Sequence, residues 1–263
     1  MPQRLSGILE KMSVCKIDGL IICNMSTVRY LCGFTGSEGL LFVGPKKPVL
    51  FVDGRYTTQA GMETEGIKII ECADRIEAVA LMTRQLKLKH IGFEADFVTW
   101  SLHNKLTAQA PETKFIPWTD ELKTLRAIKD DDEIMIMKKA AEISSAAIQS
   151  VVNRITPGWT EKATAWQLEI AARENGADGT AFETIVASGE NSSLPHAKPG
   201  NRKIRKGDFV VIDFGVRYQG YCSDETCTLA FGKLTDRQKN AYQVVKDAHD
   251  RALELLRADI PGA

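Results

Sequence analysis

The sequence predicts an α/β domain followed by a second domain in which two helices precede a group of strands. Over the first 120 or so residues, strand-like apolar runs alternate with helix-spaced patterns, the signature of an α/β layer. The order then changes, with two long helical patterns in succession and strand-like runs only after them. A length of 263 residues also exceeds that of the usual single domain.

The elements follow in order. Leu5, Ile8, Leu9 and Met12 recur at amphipathic spacing, so the N-terminus reads as a helix, and Glu10 and Lys11 interrupt any secretory core. Strands are expected at 18–23, 39–43, 49–53, 67–70 and 90–95, with helices near 55–65, 75–88 and 99–109. The second and third strands form a hairpin whose turn is supplied by Gly44, Pro45 and Pro48. In 111–133 two prolines break regular structure, and Asp130-Asp131-Asp132-Glu133 opens a long helix, because acidic residues in a first turn complement the helix dipole. The boundary is expected near residue 122, giving domains 1–122 and 123–263. Ile134, Met137, Lys138, Ala141 and Ile148 mark a helix ending before 156-TPG-158. Thr160 reads as the N-cap of the next helix, which runs through Trp166 and Ile170 to the stop signal Asn175-Gly176.

Composition excludes several classes. Lys plus Arg and Asp plus Glu are both 34, so no net charge draws the chain to nucleic acid or to an anionic membrane. No apolar run reaches the ~20 residues a membrane helix needs. The six cysteines form no C-x-x-C and no zinc-module spacing, and several sit in apolar strands, which suits a reducing cytoplasm. The basic 202-RKIRK-206 reads as a solvated turn, and Trp159 and Trp166, two helical turns apart, read as core. Gly33, Gly36 and Gly39 read as a tight connection rather than a phosphate loop. Asp53 reads as a helix cap or, with Arg55 and Tyr56, as part of a ligand-reaching group.

The stretch 210-VVIDFGVRYQGYCSDETCTLAF-231 interrupts each of two apolar runs with an aspartate, Asp213 and Asp224. No Lys or Arg lies in the strand immediately around either, and a buried carboxylate is costly unless something neutralises it. A two-residue turn at Tyr218-Gln219 would set Asp213 directly opposite Asp224, a repulsive pair that a cation between them would relieve. A turn at Gln219-Gly220 instead sets Asp213 opposite Thr226 and sends Asp224 to the other face. The bland alternative makes one aspartate a turn cap and leaves the other solvated at a sheet edge. Upstream, 188-SGENSSLPHAKPG-200 is an irregular loop in which functional groups concentrate, and it carries His196, an imidazole suited to proton exchange near neutral pH.

Together these blocks resemble the pita-bread metallopeptidases of the Xaa-Pro aminopeptidase and Xaa-Pro dipeptidase (prolidase) group. The resemblance covers essentially the whole chain. The stretches 27-TVRYLCGFTGSEGLLFV-43 and 49-VLFVDGRYTTQA-60 look like a creatinase-type N-terminal domain, and 125-LRAIKDDDEI-134 looks like the entry to the catalytic domain. The runs 184–215 and 223-SDETCTLAFG-232 look like its first metal-binding half. The implied fold is a creatinase-type α/β domain followed by the N-terminal half of an α+β pita-bread catalytic domain. The implied function is metal-dependent exopeptidase cleavage of the N-terminal Xaa-Pro bond, with a metal-activated water as nucleophile.

By position, the resemblance makes Asp213 and Asp224 the first two metal ligands and sets His196 at the substrate; no organic cofactor is implied. It implies two divalent ions, Mn²⁺ first and Co²⁺ or Zn²⁺ as substitutes in an oxygen-rich set. It further implies a peptide substrate with proline second and a homodimer when full length, and the cysteine usage already noted sets the expected location as cytoplasmic. The family's remaining ligands, one His and two Glu, are absent here, and His249 lies in a helical pattern without their glycine-flanked setting. The chain is therefore expected to be an incomplete fragment, inactive alone. Two rivals remain: a non-catalytic pita-bread module that binds peptides or proteins, and a creatinase-like hydrolase that needs no metal.

Overall fold

The computed structural model describes residues 2–258 and residue 260. Contacts divide the chain into two compact units, Met1–Lys129 and Asp130–Ala263.

The first unit opens with α1 (Pro2–Val14), β1 (Gly19–Ile22) and α2 (Met25–Cys32), followed by β2 (Leu40–Val43) and β3 (Val49–Val52). Next come α3 (Thr57–Glu63), β4 (Lys68–Glu71), α4 (Arg75–Gln85), β5 (His90–Glu94), α5 (Trp100–Gln109), β6 (Lys114–Trp118) and α6 (Glu121–Ala127). The strands make one six-stranded sheet in the order β4-β3-β2-β1-β5-β6. β2 is antiparallel to both β1 and β3, as the hairpin signal requires, and the remaining neighbours run parallel.

The apolar runs of β1, β2 and β3 are continuous because both faces of this sheet are covered. Leu20, Ile22, Leu41, Val43, Leu50 and Val52 pack on one face with Ile8 and Met12 of α1 and Val28 and Leu31 of α2. The alternate residues Ile21, Leu40, Phe42, Val49 and Phe51 pack on the other with Ile76 and Val79 of α4 and Leu106 of α5. The period of two along each strand thus distributes one apolar run between two cores.

Two elements escape the sequence reading for local reasons. Pro117 lies inside β6, where it was expected to break structure; β6 is an edge strand, and an edge tolerates a missing N–H. The expected break after residue 122 falls inside α6. Leu122 and Leu125 of that helix pack in the α1 core, and Lys11 Nζ donates to the Glu121 carbonyl at 2.7 Å, so α6 belongs to the first unit.

The second unit begins with α7 (Asp131–Val152) and α8 (Glu161–Glu174). Asp130 caps α7 in a reciprocal capping box with Glu133, and Thr160 Oγ1 accepts from the Ala163 N–H to cap α8. Then follow β7 (Gly179–Thr180), β8 (Ile185–Ser188), a 3-10 turn at Gly189–Ser193, β9 (Phe209–Phe214), β10 (Val216–Tyr218), β11 (Tyr221–Cys222), β12 (Glu225–Ala230) and α9 (Asp236–Leu255). β12-β9-β8 and β11-β10-β7 form two three-stranded sheets. Ala140, Ile143 and Ala147 of α7 and Leu168 and Ala171 of α8 pack against Val210, Ile212, Phe214 and Val216. Trp159 packs against this core, whereas Trp166 is 65% exposed and is not the core residue its spacing predicts.

Candidate metal and substrate site

The site grows from the two-fold alternation of β9. Val210, Ile212 and Phe214 point into the helix-covered core, which sends Asp213 to the opposite face, half buried. There it stands between Ile185 of β8 and Thr226 of β12. Its Oδ1 is buried and has no hydrogen-bond partner. A carboxylate oxygen withdrawn from water without a donor is costly, and such orphans are rare in folded chains.

The register corrects the face-to-face pairing of the aspartates. Tyr218 pairs with Tyr221 and Arg217 with Cys222, so the turn centres on Gln219-Gly220 and Asp213 lies opposite Thr226, not Asp224. Gln219 and Gly220 have φ of 48° and 82°, the pair of positive values a type I′ hairpin needs, and glycine takes the second at no steric cost. A turn on Tyr218-Gln219 would have denied the turn its glycine. Asp224 is exposed, on the residue before β12. Continued alternation from Thr226 would return residue 224 to the face of Asp213, not to the opposite face expected for this register.

The junction between β9 and β10 is unusually close. A Cβ at Gly215 would lie 2.1 Å from the Ser223 carbonyl oxygen. Next to it, Val216 N–H donates to Ser223 Oγ at 3.0 Å and Ser223 N–H donates to the Val216 carbonyl at 2.9 Å. This backbone contact fixes where Asp224 enters the hairpin.

His196 is exposed in the turn that follows the 3-10 segment, next to the buried Ala197. Sequence reasoning missed what holds this loop. Glu161, in the first turn of α8, is fully buried, and its Oε1 accepts from Ser188 N–H and Ser188 Oγ, both at 2.7 Å. Asn191 Nδ2 donates to both of its oxygens, at 3.0 and 3.2 Å, and Gly200 N–H donates to Oε2 at 3.1 Å. In sequence Glu161 looks like any acidic first-turn residue, so nothing local marks it.

Arg202 is likewise no part of a solvated turn. Its guanidinium grips Asp208 at 2.6 and 3.1 Å and Glu190 at 2.8 and 3.0 Å, and donates to Ser188 Oγ at 2.8 Å. The forked hydrogen bonds from Arg202 hold the Glu190 carboxyl down at about 2. Burial alone would raise Asp208, but hydrogen bonds from Arg202 and the Arg205 N–H outweigh it and keep that carboxyl below its usual range. In the first unit, Asp53 caps no helix: it pairs with Arg55 at 2.9 Å and Arg75 at 3.6 Å, and α3 has no side-chain cap.

The donor type fits a divalent cation: a hard carboxylate oxygen with an empty acceptor position on Asp213, and a second carboxylate on the same hairpin. Two carboxylates leave most of a coordination sphere to other donors. Among the described residues, no three or more His, Cys, Asp or Glu side chains cluster as a metal-holding group, so His196, Asp213 and Asp224 do not form one. No helix among them is long and apolar enough to cross a membrane.

Comparison with known proteins bears on both units. Residues 4–128 match the creatinase/prolidase N-terminal domain, and residues 135–263 match metallopeptidase family M24. Peptidase YqhT of Bacillus subtilis is 38% identical over 94% of this chain and 70% of its own length. The Xaa-Pro dipeptidase of Pyrococcus horikoshii is 30% identical over 99% of this chain and 73% of its own. Among solved structures, an Xaa-Pro dipeptidase from Bacillus anthracis superposes with a TM-score of 0.93 at 35% identity, covering 98% of this chain and 73% of that one. An X-Pro aminopeptidase from Thermotoga maritima gives 0.86 at 38% identity, covering 92% and 71%. The architecture is thus a creatinase-type α/β domain followed by a pita-bread peptidase fold, and the family carries divalent metal. The chain belongs to metallopeptidase family M24 and bears that family's creatinase/prolidase N-terminal domain.

Proposed function

We propose that this chain belongs to an exopeptidase that cleaves the bond between an N-terminal residue and proline, with Asp213 and Asp224 as two of its metal ligands and His196 at the substrate. The observation that carries the reading is the buried Oδ1 of Asp213, an acceptor with no donor on a central strand. When bound, a divalent cation supplies Lewis-acid polarisation of the peptide carbonyl and acidifies water. Asp213 offers its oxygen from a rigid strand, Asp224 adds a second carboxylate from the hairpin entry, and His196 presents an imidazole able to give or take a proton. The printed names of the relatives, Xaa-Pro dipeptidase and X-Pro aminopeptidase, support a substrate with proline in second place. Mn²⁺ is the ion proposed, because the two donors are hard oxygens.

Free cysteines throughout the described chain accord with a reducing cytoplasm, and a homodimer is the proposed assembly. Since no three ligating side chains cluster among the described residues, this chain alone is proposed to bind Mn²⁺ weakly and to turn over Xaa-Pro dipeptides slowly or not at all. Calorimetric titration with Mn²⁺, with and without the Asp213→Asn substitution, tests the ligand role. Heat that D213N abolishes supports it, and identical isotherms exclude it. The same lack of a complete cluster favours a second reading, a peptide-binding module without catalysis. Ala-Pro binding with no dependence on Mn²⁺ would favour that reading over the first.

A further inference from the structure

The loop that carries His196 leaves β8 at Ser188 and returns to the start of α8 at Gly200 and Arg202. Both ends are tied to one side chain. Glu161 accepts from Ser188 and Asn191 on the outgoing limb and from Gly200 on the returning limb. The backbone at the same point reinforces the tie, because Glu161 N–H donates to the Arg202 carbonyl at 3.1 Å and Lys162 N–H to the Gly200 carbonyl at 3.0 Å. Ser188 Oγ both donates to Glu161 and accepts from Arg202, which connects the carboxylate to the Arg202–Asp208–Glu190 cluster. Packing is tight here as well: a Cβ at Gly189 would sit 2.0 Å from an Arg202 nitrogen. Between the tied ends His196 is exposed while its neighbour Ala197 is buried.

We propose that Glu161 is a positioning residue that closes the 188–200 loop and thereby fixes where His196 stands; this rests on the reading of His196 as a substrate-side group. The chemistry of the clamp is specific. Every partner of Glu161 is a neutral donor, and the two carboxylate oxygens share five contacts across the two limbs, so the side chain must be an acceptor at both ends. Glutamine is nearly the same size but has an acceptor at one end only. Its oxygen is best satisfied at the Ser188 side, where the donors are most numerous, and its amide then meets the Gly200 N–H. The returning limb is the one released.

The test is hydrogen exchange on Glu161→Gln. Amides between Glu190 and Gly200, those of the returning limb foremost, should exchange about tenfold faster while those of β9 keep their protection, the pattern of local rather than global opening. Affinity for an Ala-Pro dipeptide should fall several-fold, as expected for one lost buried hydrogen bond, with Mn²⁺ affinity unchanged because Asp213 is untouched. Unchanged loop exchange, or β9 loosening in the same proportion, would overturn the proposal. Should the Gln variant fail to fold, Asn191→Ala removes a donor from the outgoing limb alone. It should loosen the same amides to a smaller degree, and parent-like protection there would also overturn the idea. His196→Ala separates the two layers. If it leaves Ala-Pro affinity unaltered, the substrate-side reading of His196 fails, whereas the exchange result judges Glu161 by itself.

Discussion

Asp213 faces Thr226 directly across the β9–β12 ladder, and with Ile185 on its other side the carboxylate has no cationic neighbour in either adjacent strand. Its buried, unpartnered Oδ1 is a local liability in the absence of metal. Replacing Asp213 with Asn should therefore stabilise the metal-free protein by about 1 kcal/mol while removing the stabilisation that Mn²⁺ confers. Thermal melts in chelator and in Mn²⁺ check both halves. A melting point lowered by the substitution in chelator would contradict this account of the site.

The Arg202 cluster gives stability an acid limb. Arg202 holds the Glu190 carboxyl down at about 2, and its hydrogen bonds likewise keep Asp208 below the usual carboxylate range. Depressed carboxyls contribute stability that is present in full above their unfolded values and is lost as pH falls through the folded ones. Denaturation midpoints of the parent should therefore fall between about pH 4.5 and 2 more steeply than those of Arg202→Gln, and the gap between the two proteins should narrow across that window. Parallel curves would mean that the cluster adds nothing.

Thiol chemistry should sort the cysteines by burial. Burial pushes Cys23 up to about 12, with Glu94 adding to the effect, and raises Cys32 to about 11. The thiolate is the reactive form, so both should resist alkylation in the native state. Iodoacetamide near pH 8 should label the exposed Cys15 and Cys222 first and reach Cys23 and Cys32 only on unfolding. Mass spectrometry of the labelled peptides gives the order directly.

Gly215 tolerates no side chain. An added Cβ would meet the Ser223 carbonyl at 2.1 Å and a Phe182 ring carbon at 2.7 Å, and the first of these is backbone that cannot rotate away. Gly215→Ala should cost about 2 kcal/mol or more in urea unfolding, as overpacking against fixed atoms does. It should also weaken Mn²⁺ binding, since the strand entry at Asp224 has to move.

Much of this was readable from patterns that depend on near neighbours. The β2–β3 hairpin, the acidic first turn that opens α7 and the Thr160 cap follow from residues within a few positions of one another, and all three stand where expected. The register at Asp213 was not, because it turned on whether Gly220 lies inside or just after the turn, and a one-residue choice shifts every cross-strand partner. Trp166 shows the limit of periodicity: Trp159 precedes the Thr160 cap and lies outside α8, so a spacing of seven does not set the two on one helix face, and only Trp159 packs on the core. Glu161 and Arg202 were invisible for another reason. Their partners lie up to 39 residues away, and no local pattern distinguishes a carboxylate that gathers remote donors from one that meets water.

The placement of Pro117 has a consequence for crowded solutions. An open sheet invites a stranger's strand wherever its margin presents a regular row of amide donors. One margin of the N-terminal sheet lacks a donor at Pro117, and the other, β4, is a four-residue strand with charged, exposed Lys68 and Glu71 at its ends. Ribbon-like polymerisation through this domain is thus discouraged from both sides, by a missing proton on one and by charge on the other.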